Sequence, residues 1–358
     1  MRALKFFIAL ALASGAFAAV DPAPTPVPAS IGPWFPQADD DLTPTAMAMV
    51  HEAQAEVLRL HFSKAKQICA QAEAMDPEHP LPLVMDVGVR LYEIQESIEG
   101  GLKDEKIYGE FYAKVDTVIK LALEREQQYP KSPYPKMHLG AAYGCRGLVK
   151  LYQSNYLTSY RDGKRGVEYL QKAVDLDPAR YDSYMGLGQF EYYCARLNGL
   201  LQYILALQGD EKKGIEMLKL CESKGTYSAW ACRVFLVKVL VYDQRNWADV
   251  EPYLDKVYKS FPENYHHVGM AVTYAVGNGM DKAKSREFME LVCGRWDQGW
   301  RPPAYVTENS VEPARLELAQ YYLKVGKDTE ARRHLQALSH STNDGLAKLA
   351  LGLLSKMK

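Results

Sequence analysis

Histidines are the first residues to consider for chemistry in this sequence. His266 and His267 are adjacent and follow Pro262 closely, but a zinc site needs three or four ligands converging on one ion. His51 is followed by Glu52 without the second histidine four residues later that the helical zinc-protease motif requires. We therefore predict that the histidine pair marks a helix start, with one ring packed and the other in water. No metal is expected.

Three glutamates recur every three residues, at Glu93, Glu96 and Glu99, and so share one helix face. Clustered carboxylates can raise one another's pKa and produce a proton donor. A solvated helix face has the same spacing and needs no partner. The sequence contains no phosphate loop, nucleophile elbow or Cys-x-x-Cys pair. We therefore predict no catalytic residue, no cofactor and no enzymatic activity.

The first 18 residues have the three parts of a secretory signal peptide. Arg2 and Lys5 supply the positive charge, residues 6–12 form the apolar centre, and residues 16–18 form a small-x-small cleavage site. The apolar run is shorter than the roughly 20 residues of a membrane-spanning helix, and no later run is long enough either. We expect cleavage after Ala18 and a mature protein in the periplasm or outside the cell, without a membrane span.

The charge balance argues against nucleic acid as a partner. The chain has 43 basic and 44 acidic residues, and removal of the signal leaves 41 basic residues. Phosphate recognition depends on an excess of clustered Lys and Arg, which is missing here.

The cysteines are spread over a long chain and do not resemble the dense framework of a small secreted domain. Most fall among apolar residues at helical spacing, where a thiol packs as a small hydrophobe. We expect buried free thiols; one or two bridges, for example among Cys145, Cys194 and Cys232, are the alternative. The six are Cys69, Cys145, Cys194, Cys221, Cys232 and Cys293.

Residues 19–41 read as a proline-rich linker, because closely spaced prolines favour extended backbone and exclude helix. From residue 42 to residue 342, apolar residues recur at three and four positions, which predicts helices. Residues 343–358 form a predicted closing helix, with Leu346, Leu349, Ala350 and Leu353 facing inward. A terminal helix of this kind covers the apolar face of the last repeat.

One pattern recurs through the helical region. A small or apolar residue is followed by apolar residues four and seven positions later, and these positions form one stripe on a helix. The first must be small where two helix backbones approach closely. Several copies have a helix-ending proline twelve positions after the first residue. The copies are Ala65-Cys69-Ala72, Val118-Ala122-Arg125, Gly166-Leu170-Ala173, Gly214-Leu218-Cys221, Val250-Leu254-Val257, Ser285-Met289-Val292 and Ala331-Leu335-Leu338.

This stripe resembles the second helix of a tetratricopeptide repeat (TPR). The first helix of that family carries a Leu-Gly pair followed by an aromatic residue. The matches are Leu139-Gly140 with Tyr143, and Leu187-Gly188 with Phe190. The resemblance covers residues 43–340 and implies an all-α superhelix of six or seven helical hairpins with a closing helix.

The repeats depart from the family in length. Their stripes start 35 to 53 residues apart, whereas the family period is about 34. Extended first helices or inserted connections, such as 152–164 and 198–210, are the predicted cause.

The resemblance implies an exported scaffold or adaptor that binds a protein or peptide partner in a groove lined by first helices. Tyrosines, which supply rigid apolar area with a polar tip, are dense between residues 152 and 193. Filling the junctions between long helices is the competing role for them. The predicted groove residues are Tyr184, Glu191, Tyr192 and Arg196 on one first helix, and Trp230, Arg233 and Lys238 on the next.

Two other functions stay open. A ligand-binding component of a transporter would have an enclosed hydrophobic cavity among the tyrosines. A carbohydrate-active enzyme would need two carboxylates facing each other across a cleft.

Overall fold

The computed structural model describes residues 42–99, 105–196, 209–301 and 308–357. Across these ranges all regular structure is helical, which confirms the predicted all-α class; there are 15 α-helices, one π-helical segment and no strand. The predicted signal peptide and linker lie outside the described residues. The chain divides into two compact units, residues 1–232 and 233–358.

The first unit contains eight complete helices among its described residues. They are α1 (Pro44–Leu58), α2 (Phe62–Met75), α3 (Pro80–Glu99), α4 (Glu105–Gln128), α5 (Tyr134–Tyr152), α6 (Tyr156–Leu176), α7 (Ser183–Ala195) and α8 (Glu211–Lys224). The next helix, α9 (Ala229–Lys238), begins in the first unit and ends in the second.

The second unit continues from α9 without a break. Its elements are the π-helical segment Val239–Gln244, α10 (Trp247–Ser260), α11 (Tyr265–Asn278), α12 (Ala283–Asp297), α13 (Glu308–Lys324), α14 (Asp328–Leu338) and α15 (Asp344–Leu354).

Within each unit, consecutive helices pack as pairs. In the first unit α1 packs on α2, α3 on α4, α5 on α6 and α7 on α8, while α3 also contacts α5 and α5 contacts α7. In the second unit α11 packs on α12 and α13 on α14, and α15 contacts both α13 and α14. Helices pair because each has one apolar face that must be covered.

The recurring stripe lies on α2, α4, α6, α8, α10, α12 and α14, and it faces inward in all of them. Every one of its positions is buried except Arg125, the single charged member. The helices that precede Pro77, Pro178 and Pro262 end one or two residues before the proline, because proline disfavours helical backbone in the residue before it. The spacing therefore identifies the buried face of seven helices correctly.

The glycines on the stripe bring helix backbones into contact. A Cβ atom on Gly166 of α6 would lie 3.0 Å from the backbone oxygen of Gly140 and 3.0 Å from the backbone nitrogen of Gly144, both on α5. A Cβ atom on Gly214 of α8 would lie 2.7 Å from the oxygen of Gly188 on α7. The Leu-Gly pairs of α5 and α7 therefore meet the small first position of the stripe on the following helix.

Two predicted connections between helices, and the predicted inward face of α15, can be compared with the structure. Residues 152–164 are not an inserted connection, because α5 ends at Tyr152 and α6, a helix of 21 residues, already begins at Tyr156. The proposed insertion at 198–210 falls mostly outside the described residues. Leu349 does not face inward but is 46% exposed, because it lies at the edge of the stripe formed by Leu346, Ala350 and Leu353.

Gly166→Ala is predicted to lower the free energy of unfolding by about 1–3 kcal/mol, because the new methyl group would press on backbone atoms that cannot rotate away. Gly163→Ala in the same helix is the matched control, since nothing lies within 4 Å of its Cβ position and alanine favours helix by about 0.5–1 kcal/mol. Urea-induced unfolding measures both. Equal effects would contradict the close approach of α5 and α6.

Candidate functional site

The predicted groove residues on α7 do not form one surface. Tyr184 lies in its first turn and Arg196 follows its last residue, so about 18 Å of helix separates them at about 1.5 Å per residue. The Tyr184 hydroxyl donates a hydrogen bond to the Pro178 carbonyl at 3.3 Å, and burial raises its pKa. This tyrosine therefore stabilises the turn between α6 and α7.

Tyr192 is completely buried, which corrects its assignment to a groove. A Cβ atom on Gly214 would lie 2.8 Å from its backbone nitrogen, so this part of α7 faces α8. The Arg196 guanidinium stacks over its ring, 5.3 Å from the centroid. The aromatic ring thus fills the junction between the two helices, which is the competing role considered for these tyrosines.

Glu191 and Arg196 both contact the beginning of α8. The Glu191 carboxylate accepts hydrogen bonds from Lys213 Nζ at 2.7 Å and from the Asp210 backbone N–H at 3.1 Å. Arg196 lies 3.5 Å from the Glu211 carboxylate. These contacts position one helix against the next, and their charges are already paired within the protein.

The predicted residues on α9 are divided between the units. Trp230 is half-buried in the first unit, while Arg233 is half-buried and Lys238 exposed in the second.

One face of α1 is covered by the turn that precedes α9. The Tyr227 ring stacks on His51 with centroids 6.3 Å apart, and its carbonyl accepts a hydrogen bond from the Gln54 side chain. The same ring packs against the apolar clusters around Leu81 and Leu170. The turn before α9 therefore covers this face of α1.

Four exposed apolar side chains of the first unit lie near the ends of α3, α5 and α7 and the start of α6. We call Ile98, Tyr152, Leu157 and Tyr193 the tyrosine edge; each is between 37% and 43% exposed. Ile98, Tyr152 and Tyr193 lie in the last turns of α3, α5 and α7, and Leu157 lies in the first turn of α6.

Two hydrogen bonds attach the end of α5 to neighbouring helices. Gln95 Nε2 donates to the Tyr152 hydroxyl at 2.7 Å, which joins α3 to α5. The Tyr112 hydroxyl donates to Gln153 Oε1 at 2.6 Å, which joins α4 to the turn after α5. The tyrosines of this edge were noticed in the sequence, but Ile98 and Leu157 were not, because a single exposed apolar residue in a helix has the same spacing as a core residue.

A second candidate lies in the second unit, where the start of α10, the end of α11 and the start of α12 surround an open depression of about 560 Å³. Trp247 forms one wall and packs on Gly277. A Cβ atom on Gly277 would lie only 2.3 Å from the indole ring. The other side chains around it are those of Ala248, Glu251, Asn278, Lys282, Ala283, Lys284 and Glu287.

The polar groups around the depression are mostly paired. Glu251 accepts a hydrogen bond from the Tyr274 hydroxyl at 2.6 Å, and Lys284 Nζ contacts Asp255 at 2.7 Å and Glu287 at 2.9 Å. The hydrogen bonds from Lys284 and Lys259 lower the pKa of Glu287, which is opposite to what a general acid needs. Acidic and basic side chains both line the depression, so it suits a polar ligand better than an apolar one.

The histidine pair has the geometry expected of a helix start. α11 begins at Tyr265, His267 is buried, and His266 is partly exposed. Burial lowers the pKa of His267 to about 4, against the opposing effect of its hydrogen bond with the Phe261 carbonyl. Among residues 42–99, 105–196, 209–301 and 308–357, no three His, Cys, Asp or Glu side chains are grouped to hold a metal ion.

Comparisons with known proteins identify no relative. No protein-family model matches the chain, and no curated protein is similar to it in sequence. In the part of the chain that the structure describes, no helix has both the length and the apolar character to span a membrane.

Glu191→Ala is predicted to lower the free energy of unfolding by about 1–2 kcal/mol, because it removes charge-assisted hydrogen bonds to Lys213 and Asp210. Glu216→Ala, on the exposed side of α8, is the control and should change stability by less than about 0.5 kcal/mol. Chemical denaturation followed by circular dichroism measures both. If Glu191→Ala left stability unchanged, the carboxylate would not have the structural role assigned to it.

Proposed function

We propose that this protein is an exported helical repeat protein of TPR type, which binds a protein or peptide partner and does not catalyse a reaction. The observation that supports the repeat assignment most is the contact of Gly140 with Gly166 and of Gly188 with Gly214. Each contact joins the Leu-Gly pair of a first helix to the small stripe position of the next helix. Two signature positions of the family are thus spatial neighbours twice in one chain.

The repeats are divergent members of such an array under this proposal. α3 and α4 contain 20 and 24 residues, and α5 and α6 contain 19 and 21. The whole family repeat has about 34 residues. The additional turns extend the helices beyond their shared buried stripe, and they carry side chains to the ends of the pairs, where the tyrosine edge lies.

Export would place the protein and its partner in the same compartment. The signal-like residues 1–18 support delivery to the periplasm or the outside of the cell. The mature charge, near neutral with a small acidic excess, is compatible with a protein partner.

The partner is proposed to dock on the tyrosine edge. α3 contacts α5 and α5 contacts α7, so exposed apolar residues in the last turns of these helices are candidates for a shared interaction surface. Tyr152 and Tyr193 offer flat apolar area with hydroxyl groups at its rim, which is the composition of binding hot spots. Ile98 and Leu157 add aliphatic surface on neighbouring helix ends. An apolar segment of a protein or peptide fits this surface best.

The alternative functions receive less support. A transporter component needs an enclosed apolar cavity, but the depression beside Trp247 is open and has charged walls. A carbohydrate-active enzyme needs an acid with a raised pKa, whereas the pKa of Glu287 in that depression is lowered.

The test is affinity capture from envelope extract with the mature protein and a variant carrying Ile98→Ala, Tyr152→Ala and Tyr193→Ala. The substitutions remove apolar and aromatic area that the partner would cover. Partner binding should weaken at least about tenfold, since single hot spots contribute about 2 kcal/mol or more. Calorimetric titration of the recovered protein then measures the affinity.

The matched control carries Met75→Ala, Tyr129→Ala and Leu176→Ala. These residues are similarly exposed but lie at the other ends of second helices. Retained binding by the control and its loss from the edge variant is the expected result. Equal binding by both variants, with circular dichroism showing both folded, would contradict docking at the tyrosine edge.

A further inference from the structure

Cys221 and Cys232 are the two cysteines whose thiols meet. Both are completely buried, and the Cys221 thiol is a direct hydrogen-bonding neighbour of the Cys232 thiol. Cys221 lies in the last turn of α8 and Cys232 in the first turn of α9. Of the three cysteines considered from the sequence for a bridge, only Cys232 belongs to this pair.

The turn between the two helices is fixed by one carboxylate. Asp182 accepts hydrogen bonds from the backbone N–H groups of Thr226, Tyr227 and Ser228 at 3.1, 2.7 and 2.6 Å. The Cys232 backbone N–H in turn donates to the Ser228 carbonyl at 2.8 Å. The turn between α8 and α9 is thereby attached to Asp182, the residue that precedes α7.

Gly225 allows the turn to close over the Cys221 thiol. A Cβ atom there would lie 2.6 Å from the Cys221 carbonyl oxygen and 3.2 Å from its sulfur. The Cys221 thiol, which contacts the Cys232 thiol, therefore lies beneath a turn that the Asp182 carboxylate binds.

We propose that Cys221 and Cys232 form a structural disulfide when the chain folds in an oxidising compartment. A thiolate of one cysteine attacks the disulfide of a thiol-disulfide oxidoreductase and forms a mixed disulfide. The second thiolate then displaces the oxidoreductase as its dithiol. The two thiols lose two protons and two electrons, and the oxidoreductase disulfide gains them. The inference depends on the proposed export, which provides the oxidant.

The folded protein protects the pair from later reaction. Burial raises the pKa of the Cys232 thiol, and the neighbouring Cys221 thiol raises it further. Because the thiolate is the reactive form, exchange in the folded state is slow. The bond therefore forms while the chain folds, and a chain that folds with reduced thiols keeps them.

Three other cysteines supply an internal control. Cys69 and Cys293 are buried and Cys145 is half-buried, and no other cysteine contributes to the pKa of any of these three thiols. The inference therefore specifies one bond, between Cys221 and Cys232, for the exported protein.

The test is peptide mapping of the mature chain exported to a bacterial periplasm behind a well-characterised secretory signal. The protein is denatured with iodoacetamide, without reductant, and digested with trypsin. The expected product is a linked pair of peptides, residues 220–224 (LCESK) and 225–233 (GTYSAWACR), together with alkylation of Cys69, Cys145 and Cys293. Recovery of both peptides in alkylated form would overturn the inference.

A stability comparison provides the second measurement. The exported protein should melt roughly 5–10 °C above the same chain purified reduced from the cytoplasm, as expected for a bridge between nearby helices. The Cys221→Ala, Cys232→Ala variant should lose this difference, whereas Cys293→Ala should keep it. Identical melting of both wild-type forms would overturn the structural role. Because the signal is supplied, failure of the native signal would bear on the proposed export alone.

Discussion

The close approach of helix backbones at small residues is the contact on which the rest of this structure depends. Where Gly166 meets Gly140 and Gly144, and where Gly214 meets Gly188, no side chain separates the two helices. The apolar stripe on each second helix can then reach the core of its own pair. Such contacts gain dispersion energy over many atoms and tolerate little change in volume.

The close approach of the helices also determines which side chains are buried and which stay exposed. Tyr192 is drawn into the junction of α7 and α8 because Gly214 brings the backbones together there. Glu191 and Arg196 are then used to attach the start of α8. Ile98, Tyr152, Leu157 and Tyr193 stay exposed near the ends of their helices. This is why the proposed docking surface lies there.

The buried face of the helices could be predicted from the sequence, whereas the surface proposed for docking could not. The stripe depends only on the helical period, so Val250, Leu254 and Val257 were assignable without any knowledge of their partners. Leu349 has the same apolar character as its neighbours, and its exposure depends on which part of α15 contacts α13 and α14. Contact between residues distant in sequence, such as Tyr227 with His51, has no local signal at all. Spacing predicts which face a helix buries, but three-dimensional packing decides what remains exposed.

The most direct test of the central claim is a proton distance across the glycine contact, measured by nuclear Overhauser spectroscopy on glycine-labelled protein. A Cβ atom on Gly166 would lie 3.3 Å from Gly144 Cα, so the α protons of these two residues should give a cross-peak. Helical cross-peaks of Gly163 within α6 provide the internal reference. Observation of the Gly144–Gly166 cross-peak is the predicted result; its absence in spectra that resolve the reference would show that the helices do not approach at the stripe.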